Sequence, residues 1–391
     1  MRKYAVALVI TAVVVIAGLV ALGWLAYLRD QLEPAGLLGV DPPPSNELIG
    51  FLSGTGIYLM DPYGRDVRLV TSRDVWGSYE LPKWSPDGTR IVYVGIQDVE
   101  ADWLDQYSCL YIVNNDGTGG REFTDTCHLV NGLPSYPSWS PDGTRVLFGC
   151  ASDICVINAD GTGLRRIAPG DIEKSIKNLD PSWSSDGKYI SFRKLATPCC
   201  QPHDEPMRGW SDSYIIMSFP EGEELLTLGP FDPHGYVGLP APWSPSGMND
   251  TSYAVAFMAS LNGEDSEIFS DSLREGPRGL YRSGWSLWLT DNDFHDSDPV
   301  WSPQGRLAFV GDTEDGPEIF LSSNCCKPSP TRQLTNNLVV DGNPVWSPDG
   351  KKIAYTSERD GPSVIHVMDD EGKNILSTRQ SGIPWGWIST N

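Results

Sequence analysis

Histidines and acidic residues are the side chains in this 391-residue chain that could bind a metal ion or transfer a proton. The five histidines, which no short motif joins, are His128, His203, His234, His295 and His366. The densest acidic stretch contains Asp291, Asp293, Asp296 and Asp298. Carboxylate oxygens suit calcium, but the stretch lacks the glycine and the terminal glutamate of an EF-hand loop. We therefore expect a solvated loop and no cofactor, with calcium as the alternative.

Motifs for covalent or phosphate chemistry are missing from the sequence. No Gly-x-Ser-x-Gly segment is present to expose a serine nucleophile on a sharp turn. The sequence also contains no phosphate-binding glycine-rich loop followed by Lys and Ser or Thr, and no His-Glu-x-x-His. On these grounds we expect that the chain is not an enzyme.

Eight cysteines indicate disulfide bonds if the domain is exported. Cys109 and Cys127 lie almost symmetrically about a predicted hairpin turn, and Cys150 and Cys155 face each other across a shorter connection. We predict these two disulfides, while the partners of the other four cysteines stay open. No Cys-x-x-Cys is present, which argues against a zinc ribbon.

One repeated sequence must build the elements that carry these residues. Trp-Ser-Pro-Asp-Gly, intact or with one substitution, occurs six times at intervals of 44 to 60 residues. Its tryptophans are Trp84, Trp139, Trp183, Trp243, Trp301 and Trp346. Pro fixes φ, Asp bonds its own backbone and Gly takes a positive φ, so each copy predicts a tight turn between two strands. Such a repeat indicates one supersecondary unit stacked many times.

The strands around these turns predict a β-propeller. β-branched and aromatic segments such as residues 90–94 and 352–356 follow the turn, and two further short strands complete each unit. Four short antiparallel strands in each unit are typical of a propeller blade. We expect the repeated tryptophans to be structural and to pack between adjacent blades.

Counting strands predicts the number of blades. First strands marked by a tryptophan occur six times, but the second, third and fourth strands occur seven times, beginning with residues 48–53. Residues 383–388 at the C-terminus are predicted to supply the missing first strand. The predicted fold is therefore an all-β, seven-bladed β-propeller closed by its last strand. A six-bladed ring with residues 48–71 packed elsewhere is the alternative.

The repeat also carries a family resemblance. Pro-x-Trp-Ser-Pro-Asp-Gly-x-x-Ile-Ala-Tyr, followed by Ile-Tyr-Val-Met-Asn-x-Asp-Gly, resembles the WD40-like propeller repeat of the TolB family. The resemblance implies a TolB-like propeller over residues 47–391. It also implies a scaffold for protein interaction or ligand binding at the cell envelope. Similar propellers precede the catalytic domain of prolyl oligopeptidases or act as lyases, so the alternative is a metal-dependent lyase or a hydrolase that uses loops on one face.

The N-terminus predicts a membrane anchor. Residues 4–28 form an apolar run of 25 residues, and a helix of about 20 such residues spans a bilayer. We predict one transmembrane helix within residues 1–28, with Arg2 and Lys3 keeping the N-terminus cytoplasmic. A cleaved signal peptide is the alternative. Residues 29–46 are predicted to be a proline-rich linker. The propeller is then expected on the periplasmic or extracellular side of the cell membrane.

The net charge of −22 argues against nucleic acid and against anionic lipid surfaces as partners. We expect an envelope or extracellular protein or a glycan, with membrane contact through the N-terminal helix.

The two faces of the predicted propeller differ. The turn face carries the Trp-Ser-Pro-Asp-Gly turns and the turns between third and fourth strands. The connection face carries the second-to-third and blade-to-blade connections, which are longer and more varied. Recognition residues concentrate in loops on rigid scaffolds, where Trp and Tyr often anchor contacts. The predicted binding residues, all on the connection face, are His128, His203, His234, His295, Trp103, Trp210, Tyr107 and Tyr236.

Overall fold

The computed structural model describes thirteen ranges of the chain: residues 45–54, 56–71, 81–97, 107–123, 134–171, 174–196, 211–231, 243–245, 252–259, 265–277, 279–284, 287–322 and 331–390. The predicted membrane anchor and nearly all of the predicted linker fall in residues 1–44, outside these ranges. Within the thirteen ranges, no helix is long and apolar enough to cross a membrane.

Strands dominate the described residues, and most contain the β-branched and aromatic residues that suit a buried pleated surface. In chain order they are β1 Glu47–Ser53, β2 Gly56–Met60, β3 Arg68–Thr71, β4 Lys83–Trp84, β5 Arg90–Gln97, β6 Tyr107–Asn114, β7 Arg121–Glu122, β8 Pro134–Trp139, β9 Arg145–Cys150, β10 Asp153–Asn158, β11 Arg165–Ala168, β12 Ile176–Trp183, β13 Tyr189–Ala196, β14 Ser211–Ser218, β15 Glu224–Phe231, β16 Ser252–Ala259, β17 Glu267–Gly276, β18 Gly279–Arg282, β19 Leu287–Trp288, β20 Asp296–Trp301, β21 Leu307–Thr313, β22 Gly316–Ser322, β23 Thr331–Gln333, β24 Asp341–Trp346, β25 Lys352–Ser357, β26 Val364–Asp369, β27 Leu376–Ser381 and β28 Ile383–Ser389.

In the described part of the chain, these strands form seven antiparallel four-stranded sheets. Blades 2, 3, 4, 6 and 7 are the consecutive groups β4–β7, β8–β11, β12–β15, β20–β23 and β24–β27. In blade 5, β18 and β19 both pair with β17, and Trp243 bridges to Val255 of β16 in the place of a first strand. The described residues therefore form an all-β seven-bladed propeller.

Blade 1 closes the ring. It contains β1, β2 and β3 together with β28, and Leu48 of β1 lies opposite Ile388 of β28. Trp385 packs against Trp84 of blade 2, with ring centroids 5.1 Å apart. Closure by the C-terminal strand is confirmed, and the six-bladed alternative is wrong because residues 48–71 form part of a blade.

The repeat tryptophans connect successive blades. Nε1 of three of them donates to a backbone carbonyl in the preceding blade: Trp139 to Lys83 (3.1 Å), Trp183 to Ser138 (3.2 Å) and Trp346 to Val300 (3.1 Å). Each acceptor directly precedes the repeat tryptophan of its own blade, so the same bond recurs around the ring. Trp139, Trp183, Trp243 and Trp346 are buried, while Trp84 and Trp301 are half-buried.

The apolar core is divided among the interfaces between blades. The interface between blades 2 and 3, for example, buries Val94, Leu110, Trp139 and Phe148 in one cluster. Each sheet covers its faces with its neighbours, so the ring needs no common core.

One predicted disulfide is present and fully described. Cys150 and Cys155 join β9 to β10, with Cα atoms 5.8 Å apart. Cys109 is also disulfide-bonded, and its predicted partner Cys127 lies outside the described residues.

Candidate functional site

Most of the predicted binding residues lie outside the described ranges. These are His128, His203, His234, Trp103, Trp210 and Tyr236. Tyr107 begins β6, and exposed His295 directly precedes β20. Of the predicted set, His295 is thus the residue around which the described structure shows a side-chain environment.

The acidic stretch does not form a common ligand set. Asp291 and Asp293 are exposed, Asp298 is half-buried, and Asp296 is fully buried. Among the described residues, no three His, Cys, Asp or Glu side chains converge in a way that could hold a metal ion.

Side chains from two blades instead hold the connection from blade 5 to blade 6. Buried Glu267, at the start of β17, accepts hydrogen bonds from Thr290 Oγ1 and from the backbone N–H of Asn292, the latter at 3.0 Å. Asn292 Nδ2 donates to Asp296 Oδ2 at 2.9 Å. Asn292 Oδ1 accepts from the N–H of Phe294 at 3.0 Å, which closes a local side-chain turn.

The connection from blade 6 to blade 7 repeats this arrangement. Asn337 N–H donates to Glu318 Oε1 at 2.7 Å, and Asn337 Nδ2 donates to Asp341 Oδ2 at 2.7 Å. Asn337 Oδ1 accepts from the N–H of Val339 at 2.9 Å. Thr335 Oγ1 accepts from the N–H of Ile319 at 2.8 Å, as Thr290 Oγ1 does from Ile268 at 2.9 Å in the other connection.

Each connection therefore buries two carboxyl groups, and we call Glu267 with Asp296, and Glu318 with Asp341, the acid pairs. Burial, followed by the neighbouring Glu267, raises the pKa of Asp296 to about 8. Burial raises the pKa of Glu267, and burial together with Asp341 raises the pKa of Glu318. Ionising both carboxyls of such a pair is costly because like charges in a poorly solvated site repel each other.

Unpaired oxygen atoms also indicate that the two carboxyls of an acid pair are not both ionised. Asp296 Oδ1, Glu318 Oε2 and Asp341 Oδ1 are buried and have no hydrogen-bond partner. A carboxylate only accepts hydrogen bonds, but a protonated carboxyl can donate one to its neighbour. A proton on Asp296 in the first pair, and on Glu318 in the second, would let that carboxyl donate a hydrogen bond to its neighbour and would remove the repulsion.

A bulge in the first strands of blades 6 and 7 directs Asp296 and Asp341 into the interface with the preceding blade. Asp298 and Asn343, each three residues before a repeat tryptophan, have φ values of 50° and 51°. The ladder register shifts at these positions in β20 and β24. Asp and Asn tolerate the left-handed region better than most residues. The bulge bends the start of the strand and re-aims the side chains that precede it.

The two connections differ at their tips. The polar tip, residues 293–295, presents exposed Asp293 and His295. The apolar tip, residues 338–340, exposes 82% of Leu338 and 45% of Val340. His295 Nδ1 accepts from the N–H of Ser266 at 3.0 Å, so in its neutral form this ring carries its proton on Nε2.

The acid pairs were missed by sequence reasoning, although a signal for them is present. Leu-Thr-x-Asn-x-x-x-Asp occurs at residues 289–296 and again at residues 334–341, each time five residues before a repeat tryptophan. The aspartates of the first copy, taken alone, suggest metal ligands, whereas a comparison of the two copies singles out the shared Thr, Asn and Asp.

A second buried polar group, in blade 7, does not form a nucleophilic site. His366 Nδ1 lies 3.1 Å from Val364 O, and His366 Nε2 lies 3.0 Å from Asp360 Oδ2. Ser377 lies opposite His366 in the ladder of β26 and β27. Neither ring nitrogen is free to accept a proton from a serine, as a Ser-His-Asp triad requires.

No protein-family model matches the chain. A curated relative, the uncharacterized peptidase YuxL of Bacillus subtilis (strain 168), is 35% identical over 66 residues, which are 17% of this chain and 8% of that protein. The aligned segment is therefore a small part of the relative.

Solved structures resemble the whole ring. A puromycin-hydrolyzing peptidase of Mycobacterium tuberculosis matches with a TM-score of 0.56 and 13% identity, over 78% of this chain and 50% of that one. An oligogalacturonate lyase in complex with manganese matches with a TM-score of 0.53 and 12% identity, over 86% and 83%. TolB from Acinetobacter baumannii matches with a TM-score of 0.45 and 17% identity, over 87% and 81%. Identities this low show the fold alone, a propeller like those of the matched peptidase and lyase.

The expectation that the chain is not an enzyme is wrong, because the curated relative and one of the matched structures are peptidases. That expectation rested on missing motifs, and each motif describes only one way to build a catalytic site. The chain spans half the length of the matched peptidase structure.

Proposed function

We propose that this chain is an exported, membrane-tethered propeller that binds a protein or glycan partner through its connection face. The observation that carries the proposal is the pair of equivalent connections. Both are held by a half-buried Asn and by buried Thr, Glu and Asp side chains at equivalent positions, yet they present unlike exposed residues. A fixed scaffold with variable tips is the usual arrangement of a recognition surface.

Rigid tips favour binding because little conformational freedom is lost when the partner docks. The turn face, in contrast, uses its polar groups internally. Ser140 Oγ donates to Asp142 Oδ1 at 2.5 Å and accepts from the N–H of Arg145 at 2.9 Å. Asp349 and Ser347 form the same side-chain bond in blade 7. Those groups have less capacity left for a partner.

The proposed location follows from the sequence. Residues 4–28 would anchor the chain, and the linker would hold the propeller away from the bilayer. The net charge of −22 would keep the propeller from lying flat on anionic lipid.

The test is crosslinking and capture of partners by the full chain in its native cell envelope. One variant carries Asp293→Ser and His295→Ser on the connection face. The matched control carries Asp160→Ser and Thr162→Ser in an exposed turn of the turn face. We expect partner recovery to fall in the first variant and to persist in the control. Recovery that falls only in the control would contradict the proposed face.

A second candidate function is a hydrolase or lyase that binds its substrate on the same face. The likeness to peptidases and to a lyase favours it. The test is turnover by the full chain of aminoacyl coumarin amides, and of oligogalacturonate with and without manganese. Turnover lost in the connection-face variant would support this candidate, and absence of turnover on every substrate would count against it.

A further inference from the structure

The apolar tip displays the most exposed large apolar side chain of the described residues, Leu338 at 82%. Val340, two residues later, is 45% exposed. A single exposed leucine is ordinary on a protein surface. Two such side chains on one connection, at the face proposed to bind a partner, call for a physical explanation.

This tip is held in place from three sides. Asn337 is bonded to both members of an acid pair, Glu318 and Asp341. Val339 N–H donates to Asn337 Oδ1 at 2.9 Å, and Val340 O accepts from the N–H of Glu358 at 3.1 Å. The backbone is therefore fixed while the side chains of Leu338 and Val340 stay accessible. A partner that buries them pays little for ordering the tip.

The two connections next to the tip carry acidic residues. The connection between β21 and β22 carries exposed Glu314 and Asp315, and a Cβ atom on nearby Gly316 would lie 3.9 Å from Val339 O. On the other side, Glu358 is exposed and its backbone bonds to Val340. Arg359 offsets only part of this charge. The apolar tip therefore lies between two connections whose exposed residues are mostly acidic.

From this arrangement, and resting on the proposed binding function, we infer that residues 338–340 dock a polypeptide segment in which apolar side chains are flanked by Lys or Arg. The apolar residues of that segment cover Leu338 and Val340, and its cations face Glu314, Asp315 and Glu358. Charge complementarity sets the partner class. An anionic membrane surface is repelled by the same carboxylates, and a second copy of this chain brings a net charge of −22.

The experiment measures fluorescence polarisation of short synthetic peptides with the full chain in neutral detergent, and empty micelles serve as the blank. The probe has two central leucines flanked by lysines. Two comparison peptides replace the lysines with glutamate or the leucines with serine. We expect each replacement to weaken binding by about tenfold or more, and added salt to weaken binding of the probe.

Variants of the protein locate the site. Leu338→Asn should weaken probe binding by about tenfold. Glu314→Gln combined with Glu358→Gln should flatten its salt dependence. The matched control is Ile375→Asn, which alters another exposed apolar residue, 37% exposed, in the turn before β27 on the turn face. This control should bind the probe like the parent chain.

Three results would overturn the inference: equal binding of the glutamate peptide, an equal loss in the Ile375 control, or Leu338-dependent binding to phosphatidylcholine vesicles in place of the peptide. A further result would reject this inference and leave the proposed function standing. In that case, partner capture would depend on Asp293 and His295, while Leu338→Asn would leave peptide binding unchanged. Capture that is indifferent to the connection face would reject the proposed function itself.

Discussion

The connections from blade 5 to blade 6 and from blade 6 to blade 7 have the same buried framework and different exposed tips. In both, an asparagine bonds to a glutamate of the preceding blade and to an aspartate of the next. At the tips, Asp293 and His295 occupy the positions of Leu338 and Val340. The comparison separates positions that hold the connection from positions that face a partner.

Blades 6 and 7 also differ in how deeply their repeat tryptophans are buried. Substitution of the more deeply buried one, Trp346, should cause the largest loss of stability. Trp346 is buried, donates to Val300 O and lies under the guanidinium of Arg306 at 5.0 Å. Trp346→Ala should lower the free energy of unfolding by about 3 to 5 kcal/mol, as other large-to-small core substitutions do. Trp301→Ala should lower the free energy of unfolding by less, because Trp301 is only half-buried. Thermal unfolding followed by circular dichroism checks both, and an unchanged midpoint for Trp346→Ala would contradict a structural role.

The asparagines test whether the two frameworks are equivalent. Asn337→Ala keeps the backbone bond to Glu318 but removes the bond from Asn337 Nδ2 to the buried carboxyl of Asp341 and the side-chain acceptor of the Val339 N–H, which should cost about 1 to 3 kcal/mol. Asn292→Ala should cost a similar amount for the same reason. Denaturant unfolding measures the two losses. If only one variant is destabilised, the frameworks are not equivalent.

The acid pairs give a prediction about pH. The pKa of Asp296 is about 8 in the folded protein, well above the ordinary value of 3.8, because the group is buried beside Glu267. The folded state therefore binds a proton that the unfolded state releases between about pH 4 and pH 8. The resulting stabilisation is full below pH 4, is lost as the pH rises towards 8, and changes little beyond it.

Asp296→Asn tests this dependence, because asparagine stays neutral and keeps a similar shape. The parent chain should lose up to about 1.4 kcal/mol of stability per pH unit relative to this variant between pH 5 and pH 8. Denaturant midpoints at several pH values supply the difference. Parallel profiles for the two proteins would show that Asp296 holds no proton in the folded state. Glu318→Gln makes the same test for the other acid pair.

The ring could be predicted from the sequence because the tryptophan repeat marks each blade, and the unmatched strand at residues 48–53 requires a partner such as residues 383–388. The acid pairs could not be predicted from the alternation of a regular strand. In a regular strand, Asp296 and Asp298 would point to the same side. The left-handed residue Asp298 breaks that alternation, so that Asp296 is buried while Asp298 is only half-buried.

The exposed residues that would contact a partner are even harder to predict from the sequence. Nothing in the letters Leu-Val-Val at residues 338–340 separates an exposed tip from another buried strand. The residue before exposed Leu338, Asn337, bonds to Glu318, which is 19 positions earlier in the chain and belongs to the preceding blade. Only the folded ring brings those two residues together.

Exchanging the two tips should have the smallest effect on stability and tests the comparison most directly. One variant carries Leu338→Asp with Val340→His, and its counterpart carries Asp293→Leu, with His295 kept because its Nδ1 accepts from the N–H of Ser266. The half-buried central residues Val339 and Phe294 are kept, because Phe294 packs on Phe320 with ring centroids 5.5 Å apart. Both variants should stay within about 1 kcal/mol of the parent, since exposed substitutions away from buried networks change stability little. Binding of the leucine and lysine probe should disappear in the first variant and persist in the second. Large destabilisation of either variant would mean that the tip residues help to hold the connection. It would contradict the division between positions that hold the connection and positions that face a partner.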